Sequence, residues 1–102
     1  MKPLYLIAEI SPHPEKLSEA RAAYADLIAA TKKESGCIYY DLVADESSDK
    51  WLMIEKWESK QAWDAHMLAP HVAHINDMEA EITRAPTKLN FYNPLELPVQ
   101  QP

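Results

Sequence analysis

Residues 3–10, PLYLIAEI, are apolar at nearly every position and carry no helical period. That pattern predicts a strand covered on both faces. SPHPEK interrupts it, and Pro14 suits a first helical position, where its missing N–H has no intrahelical partner to lose. Leu17, Ala20, Tyr24, Leu27, Ile28 and Thr31 then recur at helical spacing, while Lys16, Glu19, Asp26 and Lys33 fall elsewhere on the wheel. This predicts an amphipathic helix over 14–34. Gly36, the only glycine, comes directly afterwards. A helix exit through the left-handed region favours glycine there. CIYYDLVA (37–44) and WLMIEKW (51–57), separated by DESSDK, predict a β-hairpin. Ser59 can cap a short helix over 59–68 that carries Ala62, Trp63, His66 and Met67 on one side. Pro70 ends it and can open another helix, with Val72, Ile75, Met78 and Ile82 as its apolar stripe and His71 and His74 on the flank. Residues 87–92 read as a final strand. The tail NPLELPVQQP has no period and predicts an extended segment lying on the domain or on a partner.

The order strand, helix, strand, strand, helix pair, strand is the split βαβ, ferredoxin-like arrangement of an α+β fold. Residues 1–93 make one domain and 94–102 the tail. Two helices can cover only one face of a four-stranded sheet. Yet Leu4, Leu6 and Ala8 alternate with Tyr5, Ile7 and Glu9, and Trp51 and Met53 with Leu52 and Ile54. A bare apolar sheet face exceeds what soluble monomers expose, so the sequence predicts a homodimer with two sheets packed face to face.

Composition narrows the partners. The 102 residues suffice for one core. Hydrophobic residues at 47% and charged residues at 25% suit a globular chain. The net charge of −6, with no Lys/Arg cluster, argues against nucleic acid and anionic membranes. A single cysteine, Cys37, excludes an intramolecular disulfide and a cysteine-built zinc site. With nothing basic beside it, Cys37 reads as an inert small apolar residue. The N-terminal apolar run is short for a signal peptide and no run reaches the ~20 residues of a spanning helix, so a cytoplasmic location is expected.

The chemistry concentrates in KWESKQAWDAHMLAPHVAHI, residues 56–75, which holds three of the four histidines and two of the three tryptophans. His66, one turn after Trp63, is either a proton acceptor beside a pocket wall or a buried histidine satisfying a helix C-terminus. His71 sits at a helix start, where a positive ring opposes the local dipole. A neutral ring is expected there, suited to acid–base work or simply facing solvent. His74 and His13 read as surface residues. His66, His71, His74 and Asp77 could be assembled around a metal, but no known spacing signature is met, and no metal site is expected. Glu55 alternates with Met53 and Trp57, and a carboxylate on a buried strand face must be paired or protonated. It can orient a histidine, hold substrate or pair with a base at a dimer interface. Trp57 and Trp51 read as core or interface aromatics, Tyr40 and Leu42 as cavity or core.

ESGCIYYDL, then IEKWESKQAWDAHMLAPHVAHI, then TKLNFYNPL resemble the antibiotic biosynthesis monooxygenase family, including its YgiN-like quinol monooxygenases, over roughly residues 3–95. The resemblance implies a dimeric α+β barrel of ferredoxin-like subunits. It also implies oxidation of a small quinol or polyphenol by O2 without flavin, haem or metal. Deprotonating an electron-rich phenol makes it a reductant for oxygen, and histidine is suited to take that proton. On this reading His66 or His71 is the base, and Trp63, Tyr40, Glu55, Trp57 and Met67 surround a small aromatic substrate in a largely apolar pocket. Some relatives degrade haem with an Asn–Trp–His set; the only asparagines here are Asn76, Asn90 and Asn93, all late in the chain. Other relatives, of the quorum-signal-degrading type, isomerise a small phosphorylated dihydroxy-ketone. They share the PH helix start and the KLNFYNPL ending, so an isomerase using the same proton transfers is an alternative. A non-catalytic dimeric small-molecule binder is another.

Overall fold

A computed structural model of the chain describes residues 2–100. Its elements are β1 (Leu4–Ile10), a 3-10 turn (Pro14–Lys16), α1 (Leu17–Thr31), β2 (Cys37–Ala44), β3 (Trp51–Trp57), α2 (Lys60–Met67), α3 (Pro70–Ile82) and β4 (Lys88–Tyr92). The strands form one sheet in the order β2-β3-β1-β4, every pair antiparallel. The β2–β3 ladder shifts register once, between Cys37 and Tyr39. This is the ferredoxin-like α+β arrangement that the element order predicts. The last two residues of the expected tail lie outside the described residues.

Strand alternation sorts the sheet into two faces. Leu6, Ala8 and Ile10 of β1, Met53, Glu55 and Trp57 of β3 and Tyr40 of β2 point inward and are buried. Ala20, Tyr24, Leu27 and Thr31 of α1 and Val72, Ile75 and Ile82 of α3 close over them. The opposite face carries Tyr5, Ile7, Leu52 and Ile54, each partly buried in the single chain. It is not apolar throughout. Glu9 pairs with Lys50 at 3.5 Å and accepts a hydrogen bond from the Asn90 amide at 3.1 Å, and the Lys56 ammonium lies 5.2 Å from the Tyr5 ring centre.

Two local expectations change. The helix expected over 14–34 is divided at its start, because Lys16 leaves helical geometry at φ −125°. Residues 14–16 instead form a 3-10 turn capped by His13, whose Nδ1 accepts the Glu15 N–H at 3.2 Å. Gly36 does not adopt a left-handed conformation, as no described residue has positive φ. Its carbonyl accepts the Glu58 N–H at 2.9 Å, and a Cβ placed on it would run into the Ala62 Cβ. Glycine is needed there for the close approach of β2's entrance to α2, not for a helix exit. No helix among the described residues is long and apolar enough to cross a membrane.

Candidate active site

The site begins with a carboxyl group in the middle of the inward sheet face. Glu55 faces Tyr40 across one ladder and Leu6 across the other, and is only 4% exposed. Two positions along the same strand, Trp57 donates its indole N–H to Glu55 Oε1 at 3.0 Å. No lysine or arginine pairs with Glu55 among the described residues. Burial therefore dominates and pushes its pKa up to about 7 despite the indole. Burial pushes the neighbouring Tyr40 phenol up as well, well beyond its ordinary range, keeping it a hydrogen-bond donor.

The second component arrives on α2. Ser59, immediately before the helix, accepts the Ala62 N–H on its hydroxyl at 3.1 Å. This cap starts the helix just beyond the end of β3. That start sets Trp63 and His66 one turn apart above the sheet. His66 is 3% exposed, with its ring centre 4.5 Å from that of Trp57 and 5.5 Å from that of Tyr40. Its Nδ1 lies 2.7 Å from Glu34 Oε2, and the same oxygen lies 2.8 Å from Nε2 of His71. An ionised carboxylate only accepts, so both rings donate. The Nδ1–H tautomer of His66 makes that hydrogen bond and leaves a lone pair on Nε2. Burial depresses its pKa, the Glu34 carboxylate opposes that, and His71 adds to the depression.

Between helices and sheet lies a cavity of about 160 Å³. Tyr40, Glu55, Trp63, His66 and Met67 line it, with Leu27, Met53, Val72 and Ile75 as further apolar wall. Trp63 meets Phe91 of β4 edge to face at 5.1 Å, which fixes that indole. Two sequence candidates stand elsewhere. Trp57 is fully buried behind the wall and acts on the cavity by holding Glu55. His71 is on the far side of Glu34 and does not line the cavity.

Glu34 was invisible in the sequence pattern. It reads as one more charge in KKESG, yet it lies 32 and 37 positions from the histidines it joins. Asn76 and Glu79 also reach the cavity. Their signal was present: with Val72 they continue one face of α3 at helical spacing. Asn76 thus shares the cavity with Trp63 and His66, but about 160 Å³ is far too little for a tetrapyrrole. Of the residues considered for a metal, His74 and Asp77 are exposed and outside the cluster. Glu34, His66 and His71 present donor atoms within 4.8 Å of one another. Two imidazoles and a carboxylate are donors a transition metal accepts. The N···O spacings of 2.7 Å and 2.8 Å are also hydrogen-bond distances. Cys37 is half-buried, and burial, then Glu34, push its thiol up and keep it protonated.

Known proteins share this architecture. The Mycobacterium tuberculosis protein named "Putative monooxygenase Rv0793" is 29% identical over 94 residues, covering 92% of this chain and 93% of that one. Its solved structure superposes with a TM-score of 0.87 at 28% identity, over 93% of this chain and 97% of that chain. A conserved protein of Methanosarcina mazei Go1 gives a TM-score of 0.85 at 28% identity, over 90% and 92% of the two chains. A Pseudomonas aeruginosa protein gives 0.85 at 26%, over 94% and 97%. Residues 3–78 match the family described as antibiotic biosynthesis monooxygenase.

Proposed function

The chain belongs to the antibiotic biosynthesis monooxygenase family, and from that premise we propose that it oxidises a single-ring quinol or polyphenol with O2, without a cofactor, using His66 as the base. The carrying observation is the His66 ring itself, buried at the cavity wall, neutral, and backed by a carboxylate on Nδ1. Nε2 takes the substrate's hydroxyl proton, and the resulting anion reduces oxygen. One oxygen atom enters the ring as the quinol becomes a hydroxyquinone, and the other leaves as water. All four electrons come from the quinol, so no external reductant is required. Tyr40 and a protonated Glu55 are donors for a substrate oxygen, and Trp63 and Met67 are apolar walls. The volume favours a single ring. An apolar cavity of about 150 Å³ holds benzene, and this one is about 160 Å³.

The test is oxygen uptake with methylhydroquinone and with menadiol under 18O2. Enzyme-dependent uptake is expected, faster with the single ring, with one labelled oxygen per product and no peroxide. His66→Ala is expected to lower turnover by roughly a hundredfold or more while ligand still binds. Uptake that ignores the enzyme or the substitution would overturn the reading. A second reading rests on Glu55 and His66 sharing one cavity, since two proton-transfer groups also serve an isomerase. Ligand C–H exchange in D2O under nitrogen, without oxygen uptake under air, would favour it.

The outward sheet face supports a homodimer. Tyr5, Ile7, Leu52 and Ile54 form an apolar strip that no helix of the same chain covers. A second copy packed back to back would bury it.

A further inference from the structure

We propose that Glu34 is the positioning residue for the His66 base: its carboxylate fixes His66 as the Nδ1–H tautomer, and His71 clamps that carboxylate from the other side. This deepens the function proposed above, but its core concerns one ring's proton and holds without any substrate.

One carboxylate oxygen has two lone-pair sites. Both are taken on Glu34 Oε2, by His66 at 2.7 Å and His71 at 2.8 Å. The three residues come from three places in the fold: the turn after α1, the last turn of α2 and the first turn of α3. The turn is itself tied down, with Glu34 N–H donating to the Thr31 carbonyl at 2.9 Å and the Glu34 carbonyl accepting from Cys37 N–H at 3.1 Å. Lys32 does not divert the carboxylate, because it pairs with Asp41 at 3.3 Å. Side-chain exposure falls from 23% at His71 and 20% at Glu34 to 4% at His66. The carboxylate therefore stands between a buried base and a ring that reaches water.

A glutamate chain has three rotatable bonds, and held by His66 alone it could swing to solvent. His71 removes that freedom. It also limits what Glu34 can do for His66, since one negative charge cannot fully balance two imidazolium rings. The other titratable groups facing His66 or its cavity are Tyr40 and Glu55 on the sheet, Cys37 beside Glu34, and Glu79 of α3, whose Oε1 is taken by the Thr87 N–H at 2.6 Å. Tyr40 and Cys37 are held neutral, and Glu55 is neutral below about pH 7. Glu34 is then the charge that decides the state of His66. Removing Glu34's charge and removing His71 must shift His66 in opposite directions.

The experiment is a pH titration of 15N-histidine-labelled full-length protein by long-range 15N–1H correlation, which reports tautomer and pKa ring by ring. Wild type is expected to show His66 as Nδ1–H. A glutamine carbonyl can still accept both N–H groups, so Glu34→Gln isolates the charge: the tautomer stays and the His66 pKa falls further. Glu34→Ala is expected to release the tautomer and cost roughly tenfold or more in turnover. His71→Ala is expected to keep the tautomer and raise the His66 pKa. The acid limb of kcat/KM should move with these shifts, to lower pH in Glu34→Gln and to higher pH in His71→Ala. An Nε2–H ring in wild type overturns the proposal without any variant having to fold. So does an unmoved His66 titration in Glu34→Gln. Absence of quinol oxidation with Nδ1–H in place would sink the monooxygenase reading and leave Glu34's role standing.

Discussion

Glu55 has no cationic partner among the described residues, and its position dictates a pH response. Below pH 4.5 it is protonated folded or unfolded. Between 4.5 and about 7 the unfolded chain gives up the proton and the folded one keeps it. Its contribution is therefore fully present below 4.5 and lost as pH rises through about 7. That loss is about 3 kcal/mol, to order of magnitude. His66 runs the other way. Its pKa lies below the ordinary 6.5, so its contribution is present above 6.5 and lost as pH falls through the folded value. In Glu55→Gln the alkaline decline should disappear and the His66 decline on the acid side remain. Urea denaturation at about pH 5 and about pH 8 checks this, and an unchanged alkaline decline would contradict it. Glu55 and His66 were legible as candidates because each places a polar group on an otherwise apolar face. Glu34 was not, because a charge in a polar turn takes its meaning only from rings brought to it by two later helices.

The helices depend on short-range chemistry at their ends, which is why Ser59 and Pro70 could be read in advance. A helix of only eight residues with one side-chain cap leans on it heavily. Ser59→Ala should cost about 1 kcal/mol in denaturant stability and raise KM, because Trp63 and His66 ride on that helix. Gly36 was legible as a special position, but its cause was not: sequence shows which residue comes after a helix, not which one passes close by in space. Gly36→Ala should destabilise by about 1–3 kcal/mol, since the entrance to β2 and the start of α2 must separate. Ala62→Gly in the same chain should restore part of that loss, measured as a double-mutant cycle. The boundary at Lys16 was unreadable for another reason. The apolar spacing begins only at Leu17 and is silent about residues 14–16, where the backbone departs.

For the whole molecule, the order of elements was enough for the sheet topology, because one hairpin and two helical crossovers leave few alternatives. Whether a second copy covers the outward face is a matter between molecules. If a second copy does, light scattering should give twice the monomer mass. Ile54→Glu, at the centre of that face, should then shift the particle toward monomer; a wild-type monomer at high concentration would end the idea. The sheet's free margin carries a separate consequence. The register shift between Cys37 and Tyr39 leaves Ile38 unmatched and 51% exposed. An offset edge cannot template a neighbouring strand along its full length. Deleting Ile38 would straighten that margin, and open-ended strand-by-strand aggregation is the hazard the irregularity holds back.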